Sequence, residues 1–220
     1  MYCNKKTLVS IIDKLLLKLN IQVNYIIIEN DNKQDFLYVI NNQNIIEFHV
    51  NFSRIKKGDL KTYLYHEIYH IKQFNKNFPT LLLSKEKEDY SIIQKIITDL
   101  YVTDQMIKDK IYNIAYRVFK KRLKGLCKNI ASIQGIERIY KTAYIMAEWE
   151  IFFNKKNYII NTRRVKRVKK MFMNTKINKI FNILVKEYKN EDIMKMYYDL
   201  IKSININVYV YMLENKIIII

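Results

Sequence analysis

Leu8, Ile11, Ile12, Leu15, Leu16 and Leu19 recur at helical spacing, and Asn20 ends the run, so the pattern predicts an amphipathic helix over 6–19. An apolar stripe of that kind needs a surface to cover, and three β-rich stretches supply one: Val23 to Ile28, Phe36 to Ile40, and Ile45 to Val50. The Asn- and Asp-rich segments between them, 30–33 and 41–44, carry turn chemistry, so the stretches are expected to form a small meander. Leu60, Leu64, Ile68 and Ile71 then set an i, i+4, i+8, i+11 stripe behind Gly58-Asp59, which predicts a second helix with Asp59 at its N-cap. Pro79 marks the loop after that helix, and Ser84 is placed to cap a third helix reaching about Asp109. Residues 111–202 carry further helical periods, broken near Gly125, Gly135 and 154–157, and Ile206 to Tyr211 with Ile217 to Ile220 read as two closing strands. The class is therefore α+β, with a part at 1–110 and a mainly helical part at 111–220.

The second helix carries chemistry as well as packing. His66-Glu67-Ile68-Tyr69-His70 is an HExxH pentapeptide holding two of the three histidines in the chain. Residues four apart on a helix stand one above the other, so His66 and His70 can direct both imidazoles at one point with Glu67 beside them. At 3.6 residues per turn that pair points away from Leu60 and Leu64, leaving it free to face a cleft.

Two imidazoles are an incomplete site, because catalytic zinc takes three protein ligands and keeps a fourth position for water. The longer HExxHxxGxxH pattern is absent: Gln73 stands at its glycine and Lys76 at its last histidine. The third ligand is then sought on the next helix. Asp99 lies within Ile96-Ile97-Thr98-Asp99-Leu100-Tyr101-Val102, where an ionised carboxylate is costly unless it is paired or metal-bound. Glu86, Glu88 and Asp89 are nearer in sequence but sit in a charged helix start, which suits solvent. Thr103 and Asp104, one turn beyond Asp99, are candidates to hold a ligand's free N–H. The competing role for Asp99 is an ion pair with Lys95 or with a neighbouring basic helix.

The order helix, β meander, HExxH helix, loop, acid-bearing helix resembles the zincin metallopeptidases over about residues 1–110. The arrangement is closest to gluzincins, whose third ligand is an acid on the following helix, usually in an ExxxD pattern. Here Asp comes first and the next acid, Asp104, is five residues on. Small zincin-like peptidases with a DxxxN or similar segment on that helix are closer still. The resemblance implies Zn(II) held by His66, His70 and Asp99, with Glu67 as general base in peptide-bond hydrolysis. It also implies that the strand ending at Val50 offers a free edge to an extended protein or peptide substrate. His49 shares a strand face with Glu47 and is expected at the surface. Among eighteen tyrosines the oxyanion-stabilising residue is not identifiable; Tyr112, Tyr116, Tyr140 and Tyr144 are candidates that suit packing equally.

Composition adds a second candidate function. The net charge of +18 attracts polyanions, and Arg163-Arg164-Val165-Lys166-Arg167-Val168-Lys169-Lys170 concentrates it. A basic nucleic-acid-binding or interaction protein on a zincin-like scaffold is therefore the alternative to a peptidase, and a helical interaction module with a chance HExxH is the third reading. Abundant Ile, Asn, Lys and Tyr with scarce Gly and Pro also follow from an AT-rich coding sequence, which weakens the charge argument. Cys3 and Cys127 form no CxxC motif or disulfide framework, Asp13, Lys14 and Lys18 interrupt any export signal, and no apolar run approaches the roughly 18 residues of a membrane span. These features predict a cytoplasmic chain without a membrane anchor.

Overall fold

The computed structural model describes residues 4–30, 36–40, 45–53, 57–83, 88–129, 135–153, 164, 168, 170, 175–204, 209–213 and 216–219. The class is α+β, and the chain divides into two compact units: residues 1–76 with 111–118, and residues 77–110 with 119–220. The chain thus crosses between units at three places, after residues 76, 110 and 118.

In the first unit, α1 (Lys5–Lys18) starts where Asn4 accepts a hydrogen bond from the Thr7 backbone N–H at 2.9 Å. It stops at Asn20, whose φ of 52° is the left-handed conformation that asparagine tolerates, and the Ile21 N–H returns to the Leu16 carbonyl. Strands β1 (Tyr25–Glu29), β2 (Phe36–Ile40) and β3 (Ile46–Val50) follow. They are not a meander: the order is β1-β3-β2, with β1 parallel and β2 antiparallel to β3. Strands β1 and β2 end where the Asn-rich segments 30–33 and 41–44 begin, although residues 31–33 and 41–44 lie outside the described residues; pairing order depends on nonlocal contacts. Placing β3 centrally makes sense of its alternation, since Ile46, Phe48 and Val50 are buried while Glu47 and His49 are only partly covered.

Helix α2 (Lys57–Asn75) begins two residues before Asp59, which therefore lies in its first turn and not at the N-cap. The apolar stripe is as expected: Leu60, Leu64, Ile68 and Ile71 are all fully buried. This face packs the helix against α1 and β2, completing the core begun by Leu8, Ile12, Leu15 and Leu16.

In the second unit, β4 (Thr80–Leu83) directly follows Pro79, a strand absent from the sequence reading. It pairs in parallel with β6 (Lys216–Ile219), which pairs antiparallel with β5 (Val210–Leu213) in the hairpin expected at the C-terminal end. Helix α3 spans Glu88–Lys108; α4 spans Tyr112–Asn129, belonging to the first unit up to Val118 and to the second from Phe119; Ser84 lies outside the described residues. Gly125 does not break α4, since a glycine inside a helix costs only about 1 kcal/mol relative to alanine. Helix α5 (Gly135–Glu148) passes into a π-helical turn, Trp149–Phe153, and is followed by α6 (Thr175–Lys189) and α7 (Ile193–Ile204). Helix α5 packs on α3 and α6, and α7 on α3 and α6. No helix among the described residues is long and apolar enough to cross a membrane.

Candidate metal centre

The burial of the Leu60 to Ile71 face fixes the rotation of α2 and leaves His66, Glu67 and His70 on its half-buried side. One helical turn separates the imidazoles, and their Nε2 atoms stand 3.1 Å apart with ring planes at 85°. Two nitrogens bound tetrahedrally to one zinc at about 2.0–2.1 Å lie roughly 3.3 Å apart, so this spacing fits a shared ion. His66, His70 and Asp99 each offer a ligand atom, and these three atoms lie within 4.8 Å of one another. Two imidazoles and one carboxylate are a donor set that zinc accepts. The group can hold a metal ion.

Asp99 is 7% exposed, in keeping with its place in an apolar run of α3. Its Oδ1 is 3.1 Å from Nη2 of Arg122 on α4, which is the neighbouring-basic-helix partner weighed against metal binding. The two roles are compatible, because a carboxylate has two oxygens and about four lone-pair sites. The guanidinium is shared: its Nη1 lies 2.8 Å from Oε1 of Glu148 and also donates to the Tyr144 hydroxyl, while Thr103 donates to the same Glu148 oxygen at 2.6 Å. Glu148 is fully buried, and burial pushes its carboxyl above the ordinary value, with the Arg122 charge and the Thr103 hydroxyl pulling the other way. Burial likewise holds Tyr144 well above the usual tyrosine range, against the pull of Arg122.

Compared with protein-family models, curated proteins and solved structures, the chain matches none.

Several expectations change. Thr103 and Asp104 do not support a histidine: Thr103 is directed at Glu148, and Asp104 accepts from Tyr188 at 2.7 Å and pairs with Lys108 at 2.8 Å. Strand β3 has neighbours on both sides, so it offers no free edge to a substrate; among the described residues the sheet's edges belong to β1 and β2. Tyr140 and Tyr144 are buried packing residues, Tyr140 donating to the Leu200 carbonyl at 2.9 Å, whereas Tyr112 and Tyr116 are half-exposed on α4. His49 is partly exposed and pairs with Glu47 at 3.1 Å, as a surface histidine should.

Cys127 is a buried thiol whose Sγ lies 4.0 Å from the Arg164 carbonyl oxygen, and Cys3 lies outside the described residues. So do the side chains of Glu86, Glu88 and Asp89, and all of the 163–170 basic stretch except helical Arg164, Val168 and Lys170. Arg122 and Glu148 were missed, yet Glu148 carried the signal that singled out Asp99. It is an acid ending the apolar run Ala143-Tyr144-Ile145-Met146-Ala147.

Proposed function

We propose that the chain is a zinc-dependent peptidase in which His66, His70 and Asp99 hold Zn(II) and Glu67 is the general base. The observation that carries this reading is the convergence of the three ligand atoms within 4.8 Å, two of them from an HExxH helix. Bound zinc supplies Lewis acidity, which lowers the pKa of water and polarises a carbonyl. The chain's own part is positional and acid–base. The buried stripe of α2 fixes the two imidazoles in one orientation, so little freedom is lost when they close on an ion. Glu67, adjacent to His66 and half-buried, takes a proton from the attacking water and returns it to the leaving amide nitrogen. An extended peptide is the substrate class that such an acid–base pair serves, and the edge strands β1 and β2 are where its backbone can add.

A metal-free second reading is favoured by one contact, the Asp99–Arg122 pair at 3.1 Å, which alone would account for a buried aspartate. In that reading the +18 charge makes nucleic acid or another polyanion the partner, with binding that weakens steeply with salt.

Metal analysis of the purified protein separates the two. The peptidase reading expects one zinc per chain, lost in His66→Ala and His70→Ala and kept in Glu67→Gln, with cleavage of a peptide library abolished in all three. Stoichiometric zinc without Glu67-dependent cleavage refutes catalysis and leaves a structural ion, and absence of zinc favours the second reading.

A further inference from the structure

We infer that Arg122 is the positioning residue for the third metal ligand, and that Glu148 and Thr103 exist to hold Arg122 in that role. The inference rests on the zinc reading above and adds residues from three helices to it. A buried aspartate side chain free to rotate would present its oxygens to a metal only part of the time. The Arg122 contact to Oδ1 fixes the plane of the Asp99 carboxylate while leaving lone pairs for an ion. Arg122 is itself constrained from the far side: Glu148 Oε1 accepts from Nη1 at 2.8 Å, and the guanidinium carbon lies 5.4 Å from the centre of the Tyr144 ring. Thr103 then fixes Glu148 from one turn beyond Asp99 on the same helix, at 2.6 Å. The chain of contacts thus starts and ends on α3.

Two features distinguish this from an ion pair that only ties helices together. First, the guanidinium is divided between two carboxylates, both largely buried, at side-chain exposures of 10% for Asp99 and 0% for Glu148. Neither acid therefore has the guanidinium to itself. Second, the task needs arginine. Its rigid fork presents separate N–H groups to Asp99 and Glu148 at once, whereas a lysine ammonium is a compact point charge on a flexible stem. The Glu148 side of the network also adjoins a local irregularity, because the π-helical turn starts at Trp149. Such turns are frequent at functional sites.

The experiment measures zinc affinity by competition with a chromophoric chelator, and the visible bands of the Co(II)-substituted protein, in wild type, Arg122→Met, Arg122→Lys and Asp99→Asn. Loss of an outer partner of a metal ligand typically lowers affinity about 10- to 100-fold. Arg122→Met is expected in that range with altered Co(II) bands, and Arg122→Lys, which keeps the charge but not the fork, at about tenfold. Far-ultraviolet circular dichroism of the metal-free proteins identifies variants that fail to fold, and Arg122→Lys carries the test if Arg122→Met is one of them. Folded Arg122 variants that bind zinc within twofold of wild type, with unchanged Co(II) bands, overturn the positioning role while leaving the zinc site intact. A wild type that binds no zinc, or an Asp99→Asn protein that binds it equally well, overturns the metal assignment from which that role follows.

Discussion

Replacing Glu148 with alanine tests the buried network that joins α3, α4 and α5. The carboxylate is fully buried and accepts from Arg122 at 2.8 Å and from Thr103 at 2.6 Å. Its removal strands a guanidinium whose side chain is only 17% exposed, leaves a hydroxyl without its acceptor, and opens a cavity at the end of α5. Breaking a buried pair by deleting one member costs about 3–5 kcal/mol. Asp99 still engages the other arm of Arg122, which puts the expected loss near the lower end, at about 3 kcal/mol. With a urea m-value of about 2 kcal/mol/M, the unfolding midpoint falls by about 1.5 M. A loss below about 1 kcal/mol, the range of solvent-exposed pairs, would refute the account of this network as a buried, mutually dependent unit.

Glu148→Gln gives a pH signature: burial raises the carboxyl above its ordinary 4.5, so the folded state binds this proton more tightly than the unfolded state. Wild type therefore loses stability as pH rises from about 4.5 through the folded value, and the glutamine variant does not. Urea midpoints of the two proteins should shift in favour of the variant across that window; a flat or opposite difference contradicts the raised carboxyl. Leu64→Ala, at a fully buried position on α2, should cost about 2–5 kcal/mol by thermal or urea unfolding, and a cost under 1 would place the apolar stripe elsewhere. Tyr140→Phe removes the hydroxyl that donates to the Leu200 carbonyl, for an expected loss of about 1 kcal/mol, read from the same denaturation curves. Zinc at a hundredfold over its dissociation constant should add about 2.7 kcal/mol to wild type and nothing to His70→Ala, and a chelator should reverse it.

What the sequence made legible was local. The i, i+4 relation of His66 and His70 is a property of any helix, and the Leu60 to Ile71 stripe fixed which side of that helix they occupy. Asp99 could be singled out because an acid in an apolar run demands a partner, and the structure puts it within reach of both imidazoles. That same demand admits several partners, and nothing in the run Ile96 to Val102 distinguishes a metal from the arginine twenty-three residues later that Asp99 also meets. Pairing order in the sheet was illegible for a related reason. The Asn-rich composition of 30–33 and 41–44 suggests where strands end, but whether β3 lies at the edge or the centre depends on which strands pair along its two edges, which no local pattern records. Strand β4 escaped notice because four residues after a proline carry too little periodicity to be read without their partner.

That partner arrives late. Leu81 and Leu82 of β4 align with Ile217 and Ile218 of β6, so during synthesis the ribosome must deliver the whole intervening segment before this ladder can close. Until then β4 travels as an unpaired apolar edge, the kind of segment that recruits the wrong strand from another molecule. The price of a sheet completed by so distant a strand is a folding route with long-range contacts, in which a change near residue 216 acts on a strand made long before it.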